Sequence, residues 1–215
     1  MIVLSIDTAG VDCSAAVFDG KAGKVLSAVS DEIGKGHAER LMALIDEALA
    51  KAGMDLDRIG RVAVVIGPGS FTGIRVGVAT ARGLALALGI GSVGVTTLEV
   101  LARVHLKQNP GRPVVVAMDA KRGEVYAQAF GADGAPLGEP AALAPEDVDA
   151  LAARHAAVLT GSWMRRDQED PRDRFDIAMV ARIGAEKPDD AERPKPLYLR
   201  GPDAKPQIGF ALARA

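Results

Sequence analysis

The sequence lacks a pronounced excess of charge of either sign. Its 215 residues include 26 lysine and arginine residues against 28 aspartate and glutamate residues, which gives a net charge of -2 and an isoelectric point near 6.0. Proteins that bind nucleic acid on their own usually carry a basic surface that neutralises phosphates. We therefore expect no independent binding of nucleic acid by this chain.

Cysteine and clustered histidine are also scarce. Cys13 is the only cysteine, and the histidines His37, His105 and His155 are far apart in the sequence. Zinc and iron sites need three or four converging ligands, so we predict no metal site. Neither Cys13 nor Ser70 has a base at a recognisable spacing, so we predict no activated nucleophile and no catalytic residue. One cysteine and no signal-peptide pattern fit a reducing cytoplasm.

The sequence has no uninterrupted hydrophobic run of membrane-spanning length. The longest apolar stretch, residues 76–95, is broken by Arg82, Gly83, Gly89 and Gly91, whereas a span needs about 20 predominantly apolar residues. Because 48% of all residues are hydrophobic, the chain can bury a core of its own. We expect the stretch to be buried in protein and predict no membrane contact.

Hydrophobic periodicity predicts an α/β fold of alternating strands and helices. Strands are predicted over residues 2–6, 14–18, 25–29, 61–66, 93–95, 114–118, 125–130 and 156–160, and helices over residues 37–52, 71–88, 97–106, 145–153 and 176–185. Ser70 is predicted to cap the second helix, and Thr96 or Thr97 the third.

Two hairpins have the same order of features, which indicates an internal repeat. A strand ends in Asp7, turns and returns as residues 15–18, and a second strand ends in Asp119, turns and returns as residues 126–130. The repeat predicts two related lobes, residues 1–108 and 109–200. Residues 201–215 have the composition of a partly mobile tail.

The sharpest local motif is the glycine turn at residues 67–75, GPGSFTGIR. Such a turn delivers a helix N-terminus whose free amides could hold an anion, with Gly69 and Ser70 as candidates. It lacks the lysine of a P-loop, and its glycines could equally serve only to let a strand turn sharply into a closely packed helix. We favour the second interpretation.

The helix that follows this turn is apolar nearly all round. Gly73, Gly77, Ala81 and Ala85 are four residues apart and form a ridge that another backbone could approach closely, while Phe71, Arg75, Val78 and Arg82 lie along a different stripe. One side can face the chain's own sheet, and the other needs a partner. If Gly77 lies at that boundary, Gly77→Leu should spare the fold and weaken binding, whereas early melting would place it in the core.

Taken in order, these motifs resemble the TsaB (YeaZ) family over nearly the whole chain. They are the strand-Asp hairpin at residues 2–18, GHAERL at 36–41, GPGSFTGIR at 67–75, DAKRGEVY at 119–126 and LYLR at 197–200. The resemblance implies the ASKHA (actin-like ATPase) fold, with two lobes of mixed sheets flanked by helices.

The resemblance also implies a role in modifying tRNA. It suggests a non-catalytic subunit that forms a heterodimer with the catalytic paralogue TsaD and works with the ATPase TsaE. That complex transfers a threonylcarbamoyl group to the adenosine beside the anticodon of tRNAs that read ANN codons. The chain would meet tRNA only through the complex, and could form a homodimer when alone.

The same resemblance suggests where the partner binds. The helices predicted at residues 37–52 and 71–88 would form an inter-subunit bundle. The interface residues would be Leu41, Leu44, Ile45, Leu49, Phe71, Gly73, Ile74, Arg75, Gly77, Val78, Ala81 and Arg82. TsaD-type paralogues hold a metal with two histidines four residues apart, where this chain would have Thr97 and Leu101. Neither side chain replaces an imidazole, so no metal and no transfer chemistry are implied.

A free-standing ATPase, sugar kinase or metallopeptidase is the alternative. Actin-like ATPases and sugar kinases place a carboxylate where Asp7 ends its strand, so Asp7 is a weak cofactor candidate. No basic residue follows it, however, and an aspartate that caps a turn explains it equally well. The loop at residues 160–163 has one glycine, Gly161, which is poor for nucleotide binding. We predict no bound cofactor. A homodimeric module for another protein partner is a third possibility.

Overall fold

The computed structural model describes residues 1–200, which form two mixed β-sheets, five α-helices and two short 3-10 helices, Leu56–Arg58 and Ser162–Arg165. The first sheet contains β1 (Ile2–Asp7), β2 (Asp12–Asp19), β3 (Lys24–Glu32), β4 (Arg61–Gly67) and β5 (Gly91–Thr96), and the second contains β6 (Val114–Asp119), β7 (Val125–Phe130), β8 (Ala141–Leu143) and β9 (Val158–Thr160). The helices are α1 (His37–Ala52), α2 (Phe71–Leu88), α3 (Thr97–Gln108), α4 (Pro145–Arg154) and α5 (Ile177–Glu186). The predicted α/β class is confirmed.

The two sheets repeat one arrangement. In the first, with strand order β3-β2-β1-β4-β5, β1 pairs antiparallel with β2 and parallel with β4. In the second, with order β8-β7-β6-β9, β6 pairs antiparallel with β7 and parallel with β9. Asp7 and Asp119 therefore end equivalent central strands, as the repeat in the sequence predicts.

Helices cover both faces of the first sheet. On β4, Val64 lies beside Gly77 of α2, and its neighbour Ala63 lies beside Gly184 of α5. Successive residues of a strand point to opposite faces, so α2 and α5 pack on opposite sides. Helix α1 packs on β2 and β3 and contacts α2. The α1–α2 pair is therefore one layer, and its outer surface is not covered by the described chain.

Helix α5 crosses the predicted lobe boundary. It comes from the part of the chain assigned to the second lobe, yet it packs against all five strands of the first sheet. Buried Arg61 of β4 fixes its C-terminal end by donating to the carbonyl oxygen of Gly184 at 2.9 Å and by pairing with Asp189. The predicted division at residue 108 separates the strands of the two sheets. Helix α5 lies after this division in the sequence but packs on the sheet that precedes it.

Local sequence signals predict the observed ends of several helices and strands. The bounds of α1 and β7 are those predicted, and Ser70 caps α2 by accepting a hydrogen bond from the Gly73 amide at 3.2 Å. Thr96, not Thr97, caps α3. Strand β8 was missed because three residues are too short to show periodicity. The predicted tail, residues 201–215, lies outside the described part of the chain.

Candidate functional site

The glycine turn of residues 67–70 packs directly against the loop that follows β1. A Cβ added to Gly69 would lie 2.5 Å from the Ala9 carbonyl oxygen, and one added to Gly73 would lie 1.8 Å from the Thr8 carbonyl oxygen. The Ser70 amide donates to the Ala9 carbonyl at 2.7 Å, and the Thr8 hydroxyl donates to the Gly73 carbonyl at 2.7 Å. The two glycines thus let the Thr8–Ala9 backbone approach closely, and the Ser70 amide is already bonded there, which supports the packing interpretation of these glycines.

Asp7 lies beside this contact, fully buried. Its Oδ1 accepts a hydrogen bond from the Ala9 amide at 2.8 Å, the bond expected of an aspartate that caps a turn. Within residues 1–200, Oδ2 has no hydrogen-bond partner. Burial raises the pKa of the Asp7 carboxyl to about 7, and the nearby charge of Asp12 adds to the shift. The structure does bring Asp7, Gly69 and Ser70 together, but around a closely packed backbone.

Asp7→Asn is expected to remove a pH-dependent loss of stability. The folded-state pKa of about 7 exceeds the ordinary value of 3.8, so the stability that the protonated carboxyl contributes is fully present below pH 3.8. It is lost as the pH rises through 7. Asparagine is neutral and nearly isosteric, so at pH 8 the variant should be more stable than wild type by up to about 4 kcal/mol, since one pKa unit is about 1.4 kcal/mol.

Urea denaturation at pH 4, 6 and 8 measures this effect. The difference between variant and wild type should be small at pH 4 and should grow toward pH 8. A difference of the same size at all three values would show that the carboxyl does not change its charge in this range.

The other candidate groups for chemistry are engaged in packing. Within the described chain, no group of three His, Cys, Asp or Glu side chains is placed to hold a metal. The buried Thr97 hydroxyl donates to the Pro68 carbonyl at 2.7 Å. Burial raises the pKa of the Cys13 thiol to about 11, which keeps it in its unreactive thiol form at neutral pH. A Cβ on Gly161 would lie 2.3 Å from the Ala117 carbonyl, so this glycine allows close packing on β6.

The structure corrects the predicted interface for every residue that it buries. Helical spacing identifies an apolar side but does not say what covers it, and here the chain's own sheet does. Within α1 and α2, the predicted interface residues buried inside the chain are Leu41, Leu44, Ile45, Leu49, Gly73, Ile74, Gly77, Val78 and Ala81. The glycine ridge in particular faces Thr8 and Val64, so it is not available to a partner.

The remaining predicted residues, Phe71, Arg75 and Arg82, are exposed on the outer side of α2. With Ala79 and Leu86 they form one stripe at helical spacing, along which Phe71 is 55% exposed and Leu86 85% exposed. Met42 of α1 adds another exposed apolar side chain to the same layer. We call this surface, formed by Met42, Phe71, Arg75, Ala79, Arg82 and Leu86, the α1–α2 face.

An aromatic cluster stands at the N-terminal end of the α1–α2 face. The Arg75 guanidinium lies 3.6 Å from the Phe71 ring centroid and 5.6 Å from that of Tyr198, and its Nε donates to the Tyr198 hydroxyl at 2.8 Å. Tyr198 is 48% exposed and comes from an extended segment held on β4 by the Leu197 amide, which donates to the Ile66 carbonyl. Exposed aromatic and arginine side chains are typical of protein interfaces.

The sequence prediction missed Met42, Ala79, Leu86 and Tyr198, and placed the buried Val78 on the stripe where the exposed Ala79 lies. Leu86 continues the steps 71, 75, 79 and 82 by four residues, so helical spacing could have found it. Tyr198 is 127 residues from Phe71 in the sequence, and no local pattern indicates that the two rings lie 5.4 Å apart. Met42 lies between the buried Leu41 and Leu44 and has no distinguishing neighbour.

Helix α2 has a second possible explanation for its apolar surface. By length and composition alone, with a mean hydropathy of 1.3, it could cross a membrane, and 33% of it is buried in the chain. Its close contacts with Thr8 and Val64, however, make it part of the layer over the first sheet. Its apolar surface is therefore divided between a side that packs on the sheet and a side that the described chain leaves uncovered.

Known proteins similar to this chain point to one pathway. The family model described as TsaD, tRNA N6-adenosine threonylcarbamoyltransferase, matches residues 28–162. The tRNA threonylcarbamoyladenosine biosynthesis protein TsaB of Escherichia coli K12 is 35% identical over 169 residues, which cover 76% of this chain and 70% of that protein. TsaB of Buchnera aphidicola subsp. Schizaphis graminum is 36% identical over 125 residues, so the match spans only 58% of each chain.

A solved structure has the same fold over nearly its whole length. It is a Pseudomonas aeruginosa protein described as uncharacterized, with similarity to peptidase YeaZ. It matches with a TM-score of 0.74 and 26% identity, covering 93% of this chain and 99% of that one.

Proposed function

The chain belongs to the TsaB family, whose members take part in the biosynthesis of tRNA threonylcarbamoyladenosine, and from this premise we propose that it is a non-catalytic subunit that binds and activates a TsaD-type transferase. The single observation that carries the proposal is the α1–α2 face. It exposes Phe71, Leu86 and Met42 on two helices that otherwise pack well on their own sheet. Exposed apolar side chains grouped on one face are typical of interaction sites.

The non-catalytic part of the proposal is supported by what the candidate chemical groups do. The Thr97 hydroxyl is bonded to Pro68, Ser70 caps α2, and Asp7 is buried behind the Thr8–Ala9 loop. Asp7 and Thr97 are fully buried, and the exposed Ser70 hydroxyl is engaged at the start of α2 with no base recognised beside it. Catalysis in the proposed complex therefore belongs to the TsaD subunit.

We further propose that the assembly includes the ATPase TsaE and that this chain meets tRNA only through the complex. Its net charge of -2 fits that indirect role. The complex would act in the cytoplasm on the adenosine beside the anticodon of ANN-decoding tRNAs. Without TsaD, the same apolar face would pair two copies of the chain.

Reconstitution tests the proposed function. TsaD, TsaE, the activated threonylcarbamoyl donor and unmodified tRNA should form the modified nucleoside when this chain is added, and at least about tenfold more slowly without it, because each 1.4 kcal/mol of lost stabilisation costs a factor of ten. The chain alone should neither modify tRNA nor hydrolyse ATP. Equal modification without the chain, or ATP hydrolysis by the purified chain, would contradict the proposal and favour a free-standing enzyme.

A further inference from the structure

A cavity of about 550 Å³ lies at the C-terminal end of the α1–α2 face. It is bounded by the end of α2, the turn into β5 and the extended segment after α5. Among the described residues, its lining includes three arginines, Arg61, Arg82 and Arg193, but only one carboxylate, that of Asp189. The cavity is therefore positively charged, in a protein whose net charge is slightly negative.

Among the described residues, two of the three arginine side chains have no partner. Arg61 is bonded to the Gly184 carbonyl and paired with Asp189. Across residues 1–200, no side-chain hydrogen bond and no ion pair involves Arg82 or Arg193. Arg82 comes from α2 and Arg193 from a segment more than one hundred residues later, so folding alone brings both guanidinium groups to this cavity.

The cavity wall between these arginines is apolar. Ala85, Leu86, Ile90 and Val93 line it together with the arginines, and Leu86 is the most exposed large apolar side chain of the α1–α2 face. An occupant that fits must therefore offer an anion and an aliphatic group side by side.

Helix polarity favours a carboxylate over a phosphate. Phosphates bind at helix N-termini, where free amides converge. This cavity lies at the C-terminal end of α2, where the negative helix dipole repels any anion and repels a doubly charged phosphate more than a singly charged carboxylate. The amides of Gly89 and Ile90 already donate to the carbonyls of Leu86 and Ala85, so they are not free for a phosphate. The arginines can still bind a carboxylate in a bidentate manner, because the guanidinium group supplies the donors without help from the backbone.

We propose that this cavity, which we call the arginine socket, receives an acidic side chain flanked by an aliphatic residue from the TsaD-type subunit. The inference rests on the proposed function, because its occupant is the partner of the α1–α2 face, with which the socket shares Arg82 and Leu86. The inference extends the proposed interface by Arg193 and states which group of the partner binds there. An Asp or Glu of the partner pairs with Arg82 and Arg193 and determines the partner's position along α2.

The test compares the affinity of purified TsaD for wild type and for Arg82→Gln, Arg193→Gln and the double variant. Hydrogen bonds to charged groups are strong, so each single change should weaken binding about tenfold and the double change about 100-fold. Added salt should weaken wild type more than the double variant. Arg154→Gln, on the exposed end of α4, is the matched control and should bind like wild type.

The outcomes separate the two proposals. If wild type binds TsaD and the double variant binds equally well, the socket is wrong and the proposed function stands. If wild type does not bind TsaD at all, both are wrong. Titration of the isolated chain with inorganic phosphate is the second arm, and tight saturable binding that the double variant loses would overturn the assignment to a protein carboxylate.

Cross-linking gives a direct identification of the occupant. In Arg82→Lys, a zero-length carbodiimide reagent should join the new amine to a partner carboxylate, and mass spectrometry of the complex should find residue 82 linked to an Asp or Glu of TsaD. Arg154→Lys should give no such link. Links from position 82 only to residues of this chain would contradict the proposal.

Discussion

Gly77→Leu is expected to lower the free energy of unfolding by about 3 kcal/mol or more, whereas Gly83→Leu in the same helix should leave it unchanged or raise it by up to about 1 kcal/mol. A Cβ on Gly77 would lie 2.5 Å from the Thr8 hydroxyl oxygen and 3.3 Å from Val64 Cγ2. A leucine there must push α2 away from β4 and from the loop that follows β1. Around Gly83 nothing lies within 4 Å, so leucine gains helix propensity without a clash.

Urea denaturation of the monomeric chain, at concentrations low enough to prevent self-association, measures both variants. The glycine pair is a matched test because the substitution, the helix and the unfolded-state effect are the same. A Gly77→Leu protein as stable as wild type would mean that the ridge does not pack on the first sheet. The predicted destabilisation by Gly77→Leu is the opposite of the expectation from sequence, in which this substitution spares the fold.

Local features of the fold could be predicted from the sequence because local chemistry determines them. The amphipathic spacing of α1, the Ser70 cap of α2 and the repeated strand-Asp hairpins each depend on neighbouring residues. Those signals also explain why the family resemblance was visible along the whole chain. The α/β architecture follows from them, since buried strands that alternate with helices form mixed sheets covered by helices.

The candidate site was harder to predict because it depends on which side of a helix is covered. The sequence shows that α2 is apolar nearly all round, but not which side the sheet covers. The sequence predicts that Gly73, Gly77 and Ala81 contact a partner, whereas in the structure they are buried against the chain's own first sheet. Tyr198 and Arg193 reach α2 only because the segment after α5 runs back along the first sheet. No sequence pattern near Tyr198 or Arg193 indicates such a long-range contact.

The central claim is that the exposed side of α2 binds the TsaD-type subunit. The Ala79→Glu variant tests this claim at the middle of the exposed stripe. Ala79 is exposed on the α1–α2 face and lies one turn from Arg75 and Arg82. In the free chain a glutamate at this position remains in water beside two arginines, so the fold should keep its stability. In the complex the same charge would be buried under the partner, which costs about 3 kcal/mol or more when no partner charge is placed to meet it.

The matched control is Ala150→Glu, which makes the same change at an exposed position of α4, on the second sheet. Both variants should melt within a few degrees of wild type, so a difference in binding cannot arise from unfolding.

The measurement is the dissociation constant of the complex with purified TsaD for wild type, Ala79→Glu and Ala150→Glu, under one set of salt and pH conditions. Binding through the α1–α2 face predicts that Ala79→Glu weakens the complex about 100-fold or more, at 1.4 kcal/mol per factor of ten, while Ala150→Glu binds as wild type does. Equal affinity of all three proteins for TsaD would contradict it.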